Sequence, residues 1–353
     1  MENLILFDQD TLYYRQSIYR QFRKVFAEKG YNLVVIYDKK LNEIREDRDL
    51  FVGIEYTLKN CIAMLRRYDP PMIIQYIWLK YKFLYAFMLY CRVKGIKTLL
   101  WSHGINMQSR TGTWKKYLYY VRQLLSTAQI IYTPNELKYV VTRPEKVFVA
   151  NNTLNYEDLP RIEKSREEIK DEYGFSGKKV LLCVGRLNTH NRKVDLLLDA
   201  HELIHDENIV TIIVGNGLTE QQIKRIEICK GACYLGAIFD PLKINEIYKM
   251  ADVFIMPGGV GLAINHAFYH GLPAIIENVN HSPEAYYLKD GINGFVFNKA
   301  DPEDLKNKIL KVLSNKELHD RMSREALKTV KEEASFERMQ EGFVKAIDYM
   351  AKL

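Results

Sequence analysis

The feature that most constrains the fold is a rhythm. Short apolar runs rich in β-branched and aromatic residues recur along the whole chain, each followed by a longer amphipathic segment. In the first half they are NLILF (3–7), YNLVVIY (31–37), MIIQYI (72–77), KTLLWSH (97–103), QIIYTP (129–134) and KVFVA (146–150). In the second half they are KKVLLCVG (178–185), NIVTIIVG (208–215), ACYLG (232–236), VFIMP (253–257), AIIE (274–277) and GFVF (294–297). The runs are nearly continuous rather than alternating, which predicts strands buried on both faces, as in parallel sheets covered by helices. Two sets of about six strands predict an α/β chain of two doubly wound, Rossmann-like domains. A length of 353 residues agrees, being too long for one ordinary core.

The polar stretch TLNYEDLPRIEKSREEIKDEYG (153–174) separates the two sets, so the expected domains are 1–155 and 156–335. In ADPEDLKNKILKVL, Asp301 reads as a cap, Pro302 as the first helical residue, and acids fill the first turn. The segment 336–353, after Ser335, reads as a last amphipathic helix. The N-terminus MENLILFDQD is acidic where a secretion signal would be basic. FLYAFMLYC (83–91) is far short of the ~20 apolar residues a membrane span needs. Five scattered cysteines, with Cys229 and Cys233 lacking a second pair, predict structural thiols in a reducing cytosol.

Charge is unevenly placed. Residues 1–155 carry 24 Lys+Arg against 13 Asp+Glu, whereas residues 156–353 carry 27 against 31. A basic first half calls for an anionic neighbour: nucleic acid, an acidic substrate or a membrane surface. WLKYKFLYAFMLYCRVKGIK (78–97) and WKKYLYYVRQLL (114–125) mix rings and cations in the manner of membrane-interface segments. Their apolar residues also suit packing on a sheet. Nucleic acid fits less well, since no binding motif is present.

Ligands of open α/β sheets sit beyond the carboxyl ends of the strands. The first strand of the second half ends in VGRLNTHNRKVDLLLDA, with Arg186 at its end and Arg192 and Lys193 before the next helix. Cations at such a mouth suit a diphosphate, because guanidinium forks match phosphate oxygens; the alternative is a solvated basic loop. The next strand ends in a glycine turn with Gly215 and Asn216. The fourth ends in MPGGVGLAINHAFYHGLP, where Gly258, Gly259, Val260, Gly261 and Leu262 open a helix carrying Asn265 and His266. Backbone N–H groups there could take an anion without a lysine.

VGRL, VGNG, CYLGAIFD…IYKMADVFIMPG, GLAINHAFYHGLPAI and PEAYYLKDGINGFVF follow one another in order. Over about 180–335 this resembles the donor domain of retaining glycosyltransferases of family 4 (group 1), with the GT-B fold of two such domains facing across a cleft. The resemblance implies that the last helix, 336–353, crosses back to the first domain. It implies a diphosphate held by Arg186, by Arg192 or Lys193, and by the amides from Gly259 to Leu262, with Gly215, Asn216 and Gly258 lining the donor. Two glutamates usual in the family are replaced by Gly258 and His266, and the ribose contact passes to His266. A subset with a PGxVGL…H turn resembles this variant. His270 is expected to cap or pack, and Glu284 to hold the PEAYY loop.

In the first half, YYRQSIYRQF (13–22) resembles the start of members that decorate bacterial glycans, placing Tyr14 and Arg15 on the acceptor. LLWSHGIN (99–106) resembles the segment bearing the family's interdomain histidine, which gives His103 a catalytic contact with the sugar or its β-phosphate. The resemblance thus implies a hexosyltransferase that moves a sugar from a nucleotide-diphosphate donor to a hydroxyl, with retention and without cofactor or metal. No D-x-D carboxylate cluster stands at a strand end of the second half. The implied acceptor is a glycan or lipid-linked glycan of capsule or lipopolysaccharide assembly, at the inner face of the cytoplasmic membrane. Two other readings compete: an epimerase or hydrolase of sugar nucleotides on the same fold, and a catalytically silent sugar-nucleotide or membrane-binding partner.

Overall fold

The first six apolar runs become strands of one parallel sheet, joined by a seventh that the sequence pattern did not show. These are β1 (Glu2–Asp8), β2 (Tyr31–Asp38), β3 (Phe51–Ile54), β4 (Met72–Tyr76), β5 (Lys97–Trp101), β6 (Ala128–Ile131) and β7 (Val147–Val149). Their order is β3-β2-β1-β4-β5-β6-β7. The computed structural model describes residues 1–104, 113–187 and 192–353. Residues 105–112, which include the end of the LLWSHGIN motif, residues 188–191 in the VGRLNTHNRK motif, and the side chains of Thr113 and Trp114 lie outside the described residues. The chain divides into Met1–Asn155 with Ser335–Leu353 (unit one) and Tyr156–Ala334 (unit two).

Leu4, Ile5, Leu6 and Phe7 of β1 are fully buried, as a strand covered on both faces requires. Each such side chain contributes about 1.5–3 kcal/mol of transfer free energy. The helices of unit one are α1 (Tyr13–Glu28), α2 (Leu58–Tyr68), α3 (Leu84–Val93) and α4 (Thr113–Leu125). The final helix of the chain (Phe336–Ala351) belongs to this unit and covers β5, β6 and β7. Its Phe343 and Phe336 meet Phe22 of α1 at ring-centroid distances of 4.6 and 5.9 Å. It lies so close to β7 that a Cβ on Gly342 would come within 2.3 Å of the Val149 carbonyl oxygen.

Unit two carries the other six runs as β8 (Lys179–Arg186), β9 (Ile209–Asn216), β10 (Ala232–Tyr234), β11 (Val253–Met256), β12 (Ala274–Glu277) and β13 (Gly294–Phe297). Their order is β10-β9-β8-β11-β12-β13, again with parallel pairing. Its helices are α5 (Arg166–Glu172), α6 (Val194–Glu202), α7 (Glu220–Ile228), α8 (Pro241–Met250), α9 (Ala263–Tyr269), α10 (Pro302–Leu313) and α11 (Lys316–Glu332). The final helix is therefore α12. Asp301 caps α10 as its composition implies, Oδ1 accepting from the Asp304 amide at 3.0 Å.

Candidate functional site

In unit two, β8 is flanked by β9 on one side and by β11 on the other, so the order in which strands are added reverses between β8 and β11, while all stay parallel. Such a switch point opens a crevice beyond the strands' carboxyl ends. Arg186 is the last residue of β8, in register with Asn216 of β9. It is exposed, and no side-chain hydrogen bond or ion pair engages it among the described residues. The neighbouring Gly215 has φ +143°, and a Cβ there would stand 1.8 Å from the Gly185 carbonyl oxygen. Only glycine fits this close approach. The Gly215 amide donates to Gly236 O at 2.8 Å, and its carbonyl accepts from the Tyr234 hydroxyl at 2.7 Å.

On the other side of the gap stands the glycine turn after β11. Arg192 forms an antiparallel bridge with Gly258, and the Lys193 amide donates to Pro257 O at 2.9 Å. The Arg192 guanidinium lies between two glycines: Cβ atoms on Gly185 and Gly261 would be 3.8 Å from Nε and 4.0 Å from Nη2. Nε and Nη1 are buried without a hydrogen-bond partner among the described residues. Burial pushes the guanidinium below its ordinary pKa, with Cys183 and Glu284 acting the other way. Orphaned buried donors of this kind cost about 1–3 kcal/mol each, more when charged. An oxyanion in the crevice would satisfy them.

Lys193 is differently placed. Its Nζ is ion-paired with Oε1 of the fully buried Glu277, the last residue of β12. The same oxygen accepts from the Ala300 amide at 2.9 Å. Of the two cations that the sequence could not separate, Lys193 is ion-paired with a carboxylate, whereas Arg192 forms no ion pair among the described residues. Glu277 was missed because it ends an apolar run; a carboxylate closing a buried strand was the available signal.

His281 was also missed. Its Nδ1 accepts from the Val260 amide at 3.0 Å, and its Nε2 donates to Glu277 O at 2.7 Å. The network therefore selects a neutral ring with the proton on Nε2. This corrects the expectation that every amide from Gly259 to Leu262 faces a ligand, because the Val260 N–H is already engaged. The Leu262 carbonyl accepts from the amides of Asn265 and His266 as α9 begins.

His266 departs from its expected ribose contact. It is buried, stacks on Tyr248 with centroids 4.0 Å apart, and its Nε2 donates to Asn245 Oδ1 at 3.1 Å. His270, the C-cap of α9, donates to the same oxygen at 2.5 Å, which agrees with a packing role. Asn245 Nδ2 donates to Pro160 O at 2.9 Å, which turns the amide oxygen toward the two rings. The reason for the correction is packing: α8 lies against the face of α9 that carries both histidines.

Burial, reinforced by His270, lowers the His266 pKa to about 3; burial and Lys249 lower that of His270 to about 4. Both rings stay neutral in the fold, whereas an unfolded chain protonates them near pH 6.5. Their stabilising effect is complete above pH 6.5 and is lost as pH falls toward 4, at up to ~1.4 kcal/mol per pH unit for each ring. Urea midpoints are expected to fall between pH 7 and 5, and to fall less steeply in His270→Gln. Parallel pH profiles for the two proteins would contradict this.

In unit one, Arg15 is also turned inward rather than toward an acceptor. It is buried, pairs with Asp8 Oδ2 at 3.3 Å, and lies 4.0 Å from the Tyr76 ring centroid and 5.0 Å from that of Trp101. Asp8 ends β1 and Tyr76 ends β4, so a charged residue at the unit-one switch point is used up in packing. Tyr14 is half-buried, its hydroxyl pKa raised by burial. His103 stacks on Tyr132 with centroids 4.1 Å apart, and its Nδ1 lies 3.3 Å from Glu136 Oε1. Glu136 is fully buried, and its Oε2 accepts from the amides of Tyr132 and Thr133 at 2.6 and 2.9 Å. The carboxylate thus orients the ring, as in other oriented-histidine sites. His103 and Glu136 are 33 residues apart, so spacing could not reveal the pair.

Among the described residues no group of three or more His, Cys, Asp or Glu could hold a metal ion. No helix among them is long and apolar enough to cross a membrane.

Residues 165–329 match the family model described as glycosyl transferases group 1. An uncharacterized glycosyltransferase of Methanocaldococcus jannaschii is 24% identical over 259 residues, 68% of this chain and 65% of its own. The sulfoquinovosyl transferase of Arabidopsis thaliana is 26% identical over 179 residues, 49% of this chain and 33% of its own. The match therefore spans less than two thirds of each of these relatives. Among solved structures, Anabaena HepE in complex with UDP superposes with TM-score 0.80 at 14% identity, over 99% of this chain and all of that one. At that identity the likeness shows the fold, which is GT-B.

Proposed function

We infer that this chain is a glycosyltransferase that takes its sugar from a nucleotide-diphosphate donor bound at the β8–β11 crevice of unit two. The observation that carries this reading is the Arg192 guanidinium, buried beside the glycine turn with Nε and Nη1 unpartnered. Arg186 supplies a second, exposed cation at the end of β8. The family match over 165–329 covers this crevice, and the solved relative of the same fold was crystallised with UDP. The finer assignments of family 4, retention and hexosyl transfer rest on the sequence resemblance.

In the chemical step, charge grows on the leaving diphosphate. A guanidinium already held in place stabilises that charge with little reorganisation. Arg192 suits that role, while the Lys193–Glu277 pair and His281 hold the loops on either side. The reading uses no metal. Replacement of Arg186 by Ala is expected to lower transfer by about 10²-fold. Turnover with a panel of UDP-, GDP- and TDP-sugars measures it, and near-full activity would remove Arg186 from the mechanism. Gly258, with φ +98°, offers no side chain where the family has a glutamate. This favours one other reading, a silent sugar-nucleotide binder, which the same panel identifies by thermal stabilisation without turnover.

The acceptor is proposed to be a glycan hydroxyl presented at an anionic membrane surface. Exposed Leu89 and Val93 on α3 and Tyr117, Val121 and Leu124 on α4 form an apolar patch. Arg92 Nη1 joins the helices, donating to Leu124 O at 3.1 Å. No acidic residue occurs between Asp69 and Glu136, whereas Lys80, Lys82, Lys94, Lys115 and Lys116 do. Rings and aliphatic groups at headgroup depth with lysines toward anionic lipid fit this composition. Binding to phosphatidylglycerol vesicles is expected to weaken about tenfold or more between 50 and 300 mM salt and to be absent with neutral lipid. Equal recovery with neutral vesicles would refute it.

A further inference from the structure

Unit one holds a buried charge with no counter-ion among the described residues. Arg122 of α4 is 5% exposed. Its guanidinium has no hydrogen bond or ion pair among the described residues, and Nε is enclosed. Burial is the largest influence on its charge, and Tyr85, Tyr119, Tyr76 and Tyr132 act the other way. Burial lowers its pKa to about 10. Arg15, equally buried, has Asp8. No carboxylate precedes Glu136 as far back as Asp69, and Glu136 already serves two amides and His103.

The surroundings are also short of partners. Gln75, Leu100 and Gln129 are in register across β4, β5 and β6. Both amide atoms of Gln75 and of Gln129 are buried and unpartnered. Ile73, two residues before Gln75, belongs to the buried cluster that includes Phe87 of α3 and against which Leu125 of α4 packs, so the row lies on the face those helices cover. Tyr76 closes β4 and Tyr132 follows β6, so both residues stand at the carboxyl edge, where such sheets take ligands, with their rings packed with Trp101 rather than with the Ile73 cluster. An isolated buried cation is unfavourable and is relieved by an anion with good geometry. A guanidinium with several hydroxyls suits a tetrahedral oxyanion.

We propose that Arg122 is an anion-binding residue that receives a phosphate group of the acceptor. The word acceptor rests on the transferase reading above; the binding of phosphate does not. Phosphate on a soluble sugar and phosphate of a lipid headgroup share this chemistry. The test uses the full chain carrying Arg192→Met, which removes the donor crevice as a competing phosphate site, with and without Arg122→Met. Probes are inorganic phosphate, glycerol 3-phosphate and phosphatidylglycerol vesicles, read by thermal unfolding, calorimetry and sedimentation.

Without phosphate, Arg122→Met is expected to melt at the same temperature or higher, since no protein partner is lost. Its half-saturating phosphate concentration is expected to rise tenfold or more. A loss confined to the soluble probes assigns the site to a soluble phosphate; a loss that includes vesicles assigns it to a headgroup. Unchanged response to all three probes, or a lower melting temperature of Arg122→Met without phosphate, overturns the proposal. UDP titration of the otherwise wild-type chain reports separately: failure to bind UDP would defeat the donor reading and leave the phosphate result readable.

Discussion

Arg192→Met is expected to lower sugar transfer by about 10²–10³-fold while leaving the melting temperature unchanged or raised. The activity loss follows from the guanidinium's place between Gly185 and Gly261. Among the described residues nothing else in the crevice brings a buried charge to a leaving diphosphate, since Lys193 is held by Glu277. The stability result follows from the unpartnered Nε and Nη1, because methionine fills similar volume and leaves no broken hydrogen bond behind. Lys193→Met makes the contrast: it strands the buried Glu277 carboxylate and is expected to lower stability. Turnover and thermal unfolding of both variants decide the matter. If Arg192→Met keeps wild-type turnover, or if it unfolds the protein, the crevice assignment fails.

Gly215→Ala is expected to remove more than ~4 kcal/mol of stability, enough to unfold unit two or abolish nucleotide binding. Its Cβ would overlap the Gly185 carbonyl at 1.8 Å and approach the Gly185 carbonyl carbon at 2.9 Å. The backbone could yield only by separating the ends of β8 and β9, where Arg186 and Asn216 are paired. The φ of +143° adds strain for any L side chain. Gly236→Ala is the control: φ is +70° there, but nothing lies within 4 Å of the new methyl. Its cost is expected to be about 1 kcal/mol. Urea unfolding of the pair measures the difference, and similar midpoints would show that the β8–β9 approach is looser than described.

The α/β class and the twelve apolar strands were legible because burial on both faces leaves a continuous apolar signature. β3 was not, because FVGI is four residues long, contains a glycine, and pairs only on one side. Gly53 sits against the Tyr37 ring, where an ideal Cβ would come within 2.7 Å, so a cross-strand aromatic, not a local preference, selects the glycine. At the site, Arg186 and the glycine turn could be read because strand ends are marked by where apolar runs stop. His266 and Arg15 were misplaced because a side chain's direction depends on the helix or strand packed against it.

The amino-acid sequence alone determined the rhythm of strands and helices, the basic first half and the placing of cations beside a glycine-rich strand end, since each depends on local order. Tertiary structure alone decided which charges are spoken for. Glu277 reaches Lys193 from 84 residues away, and Glu136 meets His103 across 33. The pairing of a buried charge is set by distance in space, which falls steeply in effect with separation and bears no fixed relation to distance along the chain.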